Sequence, residues 1–203
     1  LNRIKASGLK LQFCTNETQA TRERFVKKLQ GMGFDISVAE VTAPAPAACR
    51  ILKERSLRPH LLVHNGGTML QQMLGHVGRH PREMWAFAAE QRYYKETDGL
   101  KLDVGAYMKA LEYACDVQAE VVGKPAEMFF ESALAEMGVP PQQAIMIGDD
   151  IVNDVGGAQR CGMRALQVRT GKYRPCDENH PHVKPDAYVN NLAEAVDIIL
   201  QQL

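Results

Sequence analysis

"QQAIMIGDDIVNDVGGAQRCGMRALQVRTGK", residues 142–172, decides the fold. The apolar run "AIMIG" reads as a strand that stops at two aspartates, "VNDVGGAQRCG" as a short helix and "MRALQVRTG" as a second strand. Two strands joined through a helix lie parallel, and a parallel sheet needs helices against both of its faces. Downstream, "DAYVN" supplies another strand and "NLAEAVDIILQQL" an amphipathic helix. Upstream, "PAEMFFESALAEMGV" is a helix that Pro125 can open and Gly138 can close, "AEVVG" a short apolar strand and "DVGAYMKALEYACD" a helix.

The same alternation reaches the amino terminus. "LNRIKAS" is an amphipathic helix with Gly8 as its stop, and "LKLQFCTN" a buried strand. "ETQATRERFVKKLQGMGF" is a charged amphipathic helix closed by Gly31 or Gly33. "TAPAPAACRILKERSL" is a helix with prolines in its first turn, and "RPHLLVHN" a strand. The fold class is therefore α/β, a doubly wound, mostly parallel sheet of Rossmann type. Residues 65–92 break the rhythm: they hold three of the nine methionines, the one tryptophan and no aspartate. A chain that begins inside a helix at Leu1 is expected to have lost sequence upstream.

At 203 residues the chain can bury a substantial core, as one domain or as a core with a smaller lobe. Its 24 basic and 24 acidic residues balance, which argues against a nucleic-acid face but leaves room for a local anion pocket. No apolar run approaches a membrane span and no export signal opens the chain, so an intracellular protein is expected, with no membrane partner. The five cysteines are odd in number and never spaced C-x-x-C, and read as reduced thiols, several of them in the core. His60/His64 and His76/His80 have helical spacing without an acidic or thiol partner and read as surface residues.

In a doubly wound sheet, ligands bind beyond the carboxyl ends of the strands. Thr15-Asn16 after "LQFC", Lys124 after "EVVG" and Asp149-Asp150 after "IMIG" all fall there. Each has a plain alternative: Thr15 or Asn16 as a helix N-cap, Lys124 as a solvated loop residue, the aspartates as complements to a helix dipole. Together they match what phosphoryl transfer needs, namely a cation site, a lysine for phosphate charge and donors that fix the group. Asp149 is the candidate Mg²⁺ ligand. Asp154 would hold a metal-bound water or steady the loop, and Asp150 fits a cap.

That order, a strand ending in Thr-Asn, then "VVGKP", then "IMIGDDIVNDVGGAQRCGMRALQVRTGK", resembles the second, third and fourth motifs of the haloacid dehalogenase superfamily of phosphatases. Long runs extend the likeness to one branch of it over residues 1–64 and 93–203: "FCTNET", "VTAPAPAAC", "YYKETDGLKLDVGAYMKALEYAC" and "GGAQRCGMRALQVRTGK". The resemblance implies that Thr15 and Asn16 bind the transferring phosphate, that Lys124 neutralises it and that Asp149 coordinates Mg²⁺.

It further implies phosphatase action through an aspartyl-phosphate on P–N bonds (phosphohistidine, phospholysine, imidodiphosphate) and on inorganic pyrophosphate. Small phosphorylated molecules and phosphohistidine proteins would be its partners, in a homodimer resident in cytoplasm and nucleus. Residues 1–64 and 117–203 would form the core and 65–116 a reduced cap, shortened by an alternative transcript or an imperfect gene model. The first core strand, with the nucleophilic aspartate, would precede Leu1, so the 203-residue chain is expected to be inactive and its full-length parent active. Two other readings stand beside this one. A phosphoacceptor receiver module would carry its acidic pair early and its lysine last, the reverse of the order here. A catalytically inactive phosphate-binding variant of the same fold would keep the pocket without the chemistry.

"TGKYRPCDENHPHVKPD", residues 170–186, is a mobile loop near the rim or a plain surface loop, and Tyr93 and Tyr94 either face substrate or pack.

Overall fold

The computed structural model describes residues 1–17, 20–56, 93–96, 99–102, 104–116 and 118–202. They form two compact units, one of Leu1–Phe13 with Lys124–Leu203 and the other of Cys14–Gly123. "RPHLLVHN", residues 65–92 and the two histidine pairs lie outside the described residues, as do the side chains of Tyr93 and Tyr94.

The first unit opens with α1 (Asn2–Ala6), after which Gly8 takes a left-handed φ of 81°, as the stop signal requires. Helix α5 (Glu127–Met137) ends the same way at Gly138, φ 62°. For continuity, the second unit's helices are α2 (Arg22–Gly31), α3 (Pro44–Glu54) and α4 (Val104–Cys115). The parallel sheet of the first unit has the strand order β5 (Ile145–Gly148), β6 (Arg164–Val168), β7 (Ala187–Val189). Register runs from Ile145 opposite Arg164 to Gly148 opposite Gln167, and from Leu166 opposite Ala187 to Val168 opposite Val189. The α/β class with parallel strands read from residues 142–172 is what the chain adopts.

Strand alternation sorts the β6 side chains between two cores. Ala165 joins Phe130, Ile151, Val155 and Ala158 under α5 and α6 (Gly157–Arg160). Leu166 and Val168 join Val189 and Ala195 under α7 (Leu192–Gln201), whose N-cap Asn191 accepts the Glu194 N–H. The short helix expected after "IMIGDD" begins as a π-helical turn, Ile151–Gly156, and becomes α-helical only at Gly157. Asp150 causes the widening: its carbonyl accepts the N–H of both Asp154 and Val155.

The expected strand "LKLQFCTN" shrinks to β1 (Phe13–Cys14), half-buried rather than buried, paired with β2 (Val41–Thr42) and extended by Thr15 N–H to the Thr42 carbonyl at 3.1 Å. A two-residue partner allows no longer ladder. Strand β2 itself had no separate signal, because "VT" runs straight into the prolines. Helix α2 starts at Arg22 rather than Glu17, since Thr21 supplies the cap by accepting the Arg24 N–H, and it closes at Gly33, φ 89°. Helix α3 begins on Pro44, as its prolines predict.

"AEVVG" joins no ladder among the described residues, although Val122 is fully buried there. Residues 93–102 contain an unforeseen antiparallel pair, β3 (Tyr93–Glu96) with β4 (Gly99–Leu102). All five cysteines are free thiols, but only Cys49 is buried; Cys14 and Cys161 are half-buried and Cys115 and Cys176 exposed, so the core holds one cysteine rather than several. No described helix is long and apolar enough to cross a membrane.

Candidate active site

The site grows from the carboxyl end of β5. Gly148 ends the strand against Asp154, and a side chain at 148 would meet the Asp154 Cγ at 2.6 Å. The absent side chain lets the Asp154 carboxylate fold back under its own loop. There its Oδ2 accepts the N–H groups of Asp149 and Asp150, each at 3.2 Å, and its Oδ1 accepts from Lys124 Nζ at 2.7 Å. Asp154 and Lys124 are 4% and 8% exposed. A buried ion pair of this kind persists only where the geometry is good and further hydrogen bonds support it, and here the two amides satisfy the carboxylate. Lys124 is thus a buried residue aimed at the acidic loop, and the solvated-loop alternative for it falls.

Asp150 is a cap. Its Oδ1 accepts the N–H of Val152 and of Asn153, and its Oδ2 accepts from the Asn153 side-chain amide at 2.8 Å. Asp149 is committed differently: Oδ2 accepts the Lys172 N–H at 2.8 Å, and Oδ1 takes no hydrogen bond from any described residue. Burial pushes the Asp149 carboxyl above the usual carboxylate range, and the neighbouring Asp154 charge adds to this, while the Lys172 N–H pulls the other way. A half-sequestered carboxylate with one oxygen anchored and one open suits a hard divalent cation, which needs only one or two protein carboxylates beside water and substrate oxygens. Among the described residues no three His, Cys, Asp or Glu side chains gather into a ligand cluster.

The structure therefore brings together Lys124, Asp149 and Asp154, with Asp150 capping beside them. Thr15 and Asn16 belong to the second unit. Thr15 Oγ1 accepts the Glu17 N–H at 3.0 Å, so it caps a local turn instead of α2. Asn16 lies against Gly123, where an added side chain would come within 2.7 Å of its Oδ1. Gly123 is the residue that precedes Lys124 in the chain.

Two contributors escaped the sequence reading. Gly171, at φ 60°, brings the backbone so close to Asp149 Oδ2 that no side chain fits, which delivers the Lys172 N–H; the signal was the "TG" pair after a strand. Gln167, fully buried, touches the Asp149 carbonyl; the signal was a polar residue inside "RALQV". Residues 170–186 hold a 3₁₀ turn, Pro175–Asn179, pinned by the buried Asp177.

A strand-end aspartate loop closed by a buried lysine on a parallel α/β sheet defines a class, and sequence comparison names it. Residues 1–79 match the haloacid dehalogenase-like hydrolase family and residues 121–195 the HAD-hydrolase-like family. The chain belongs to the haloacid dehalogenase-like hydrolases, and within them to the phosphatases. It is 57% identical to the phospholysine phosphohistidine inorganic pyrophosphate phosphatase of Xenopus laevis, across 98% of this chain and 84% of that protein. Identity to the Homo sapiens protein of the same name is 56%, across 98% and 83%. The aligned span with the Xenopus protein, 226 residues, exceeds the 203 of this chain, so that relative carries sequence this one lacks. The 4-nitrophenylphosphatase of Thermotoga maritima shares the fold, with a TM-score of 0.85 at 22% identity over 97% of this chain and 87% of that one. The receiver reading falls with these matches.

Proposed function

We propose that the natural protein is a Mg²⁺-dependent phosphatase of P–N compounds (phosphohistidine, phospholysine and imidodiphosphate) and of inorganic pyrophosphate, acting through an aspartyl-phosphate, and that the 203-residue chain, which has no aspartate before Thr15, is inactive by itself. The observation that carries this is the 57% identity, along nearly the whole chain, to a phosphatase named for phospholysine, phosphohistidine and pyrophosphate. The open Asp149 oxygen beside the buried Lys124–Asp154 pair supports it chemically.

In this reading Asp149 holds the cation, and Asp154 keeps the loop in shape through two amides while setting the Lys124 ammonium in place. Bound Mg²⁺ would offset the charge of the phosphoryl oxygens. Lys124 takes the remaining negative charge, and Thr15 and Asn16 fix the phosphoryl group by hydrogen bonds. Residues 1–64 and 117–203 act as the catalytic core and 65–116 as a reduced cap. A homodimer in cytoplasm and nucleus completes the proposal.

The test is hydrolysis of pyrophosphate and of phosphohistidine, measured on the 203-residue chain and on the whole natural protein wherever that is longer, with Mg²⁺ and with chelator. The whole natural protein should turn over both substrates with Mg²⁺ only, Asp149→Asn should remove that turnover, and the 203-residue chain alone should show none. Undiminished hydrolysis in chelator, or by Asp149→Asn, would refute the assignment.

A further inference from the structure

Gln167 is fully buried in β6, on the face that carries Ala165 toward α5 and α6. Its side-chain NH₂ donates to the Asp149 carbonyl at 3.3 Å and to Asp177 Oδ2 at 3.1 Å. Both partners are acceptors, which fixes the amide orientation: turned over, it would set its oxygen against two oxygens. The consequence is that Gln167 Oε1 is buried with no hydrogen-bond partner among the described residues. Native interiors hold few such orphans, and each one calls for a reason. Packing supplies none, since a methionine would occupy a similar space without an orphaned acceptor.

The reason lies in what the NH₂ group holds. Asp177, 4% exposed, also accepts the Arg174 N–H at 3.0 Å, so it is the anchor of the turn that follows Lys172. Lys172 in turn donates its N–H to Asp149 Oδ2 at 2.8 Å. Residues 172–177 therefore grip Asp149 twice, at the carboxylate through Lys172 and at the main chain through Asp177 and Gln167. Two attachments on opposite ends of one residue determine how its side chain is presented.

We propose that Gln167 is a positioning residue: bridging Asp149 to Asp177, it locks the Asp149 carboxylate in the one orientation that leaves Oδ1 open to a cation. The inference rests on Asp149 as the Mg²⁺ ligand. Outer partners of this kind set how well a ligand is aimed, and their loss weakens metal binding by roughly 10- to 100-fold.

The experiment combines Mg²⁺ titration by calorimetry with amide hydrogen exchange at Lys172, on the whole chain and its variants. Gln167→Met should weaken Mg²⁺ binding by about tenfold and speed Lys172 exchange by at least about as much, while the β5 amides keep their protection. Asp177→Asn retains an oxygen for both donors and should stay within about twofold of the parent in both readouts. Asp177→Ala breaks the bridge from its far end and carries the same expectation as Gln167→Met, should that variant not fold. Asp149→Asn should lose Mg²⁺ binding altogether. If Asp149→Asn loses binding while Gln167→Met and Asp177→Ala keep both affinity and Lys172 protection, the positioning role is wrong and the metal assignment stands. If Asp149→Asn binds like the parent, the metal assignment fails; parental Lys172 exchange in Gln167→Met would then overturn the bracing role as well, and accelerated exchange would uphold it.

Discussion

Removing both halves of the Lys124–Asp154 pair should cost less than the two single removals added together. The two side chains are 10% and 6% exposed with nitrogen and oxygen 2.7 Å apart. At an effective dielectric of about 20, unit charges at that separation attract by about 6 kcal/mol, most of which offsets the cost of taking both groups out of water. Asp154→Asn keeps an oxygen for the Asp149 and Asp150 amides but leaves the Lys124 ammonium buried without its counter-charge. Its cost should approach about 3–5 kcal/mol, a large part of the roughly 5–15 kcal/mol by which a domain is stable. Lys124→Met leaves a carboxylate that still has two N–H donors, so it should cost less, about 2–3 kcal/mol. The double variant strands no charge and should fall short of the sum of the singles by about 1–3 kcal/mol. Urea unfolding followed by circular dichroism measures all four corners of the cycle. Singles within about 0.5 kcal/mol of the parent, or strictly additive losses, would show that the pair is not buried as described.

Three other outcomes follow from packing and burial. Gly157→Ala places a methyl 2.5 Å from Phe130 Cε2 and 3.1 Å from Pro125 Cα, and should destabilise by about 1–3 kcal/mol in the same unfolding assay. The Cys161 thiol is pushed up to about 11 by burial, with the Glu127 and Glu131 charges adding to it. At pH 8.5 it should alkylate with iodoacetamide about a hundredfold more slowly than an ordinary exposed thiol, read by mass spectrometry of the modified peptides. Because folding raises this acid's pKa, its contribution to stability is whole below about pH 9 and fades as pH climbs toward 11.

Helix ends were the most legible part of the sequence, because a left-handed glycine is a local requirement: Gly8 and Gly138 stop their helices where the pattern indicated. Strands β5 and β6 were equally plain, since each is an apolar run bounded by turn residues. The shortening of β1 and the existence of β2 were not, because strand length depends on the partner, and a two-residue pair leaves no period to detect. The antiparallel pair at 93–102 lacked a hydrophobic alternation that would mark it. In the candidate site, the residue types and their place after strands were enough to single out Lys124, Asp149 and Asp154. How each carboxylate is spent depends on amide groups that sequence does not show. Asp150 is consumed by Val152 and Asn153, Asp154 by Lys124 and two loop amides, and of the three only Asp149 keeps an oxygen that no described residue takes up. Gln167 was hidden because its role lies in two distant acceptors.

The central claim is that Asp149 is the carboxylate that binds the catalytic cation. Crystals grown with Mn²⁺ in place of Mg²⁺ and with orthophosphate would test it directly by anomalous scattering. The predicted result is a metal peak within about 2.0–2.2 Å of an Asp149 carboxylate oxygen, with Lys124, Thr15 and Asn16 around the phosphate. A peak at other carboxylates, or phosphate bound away from Lys124 with Asp149 bare, would contradict it.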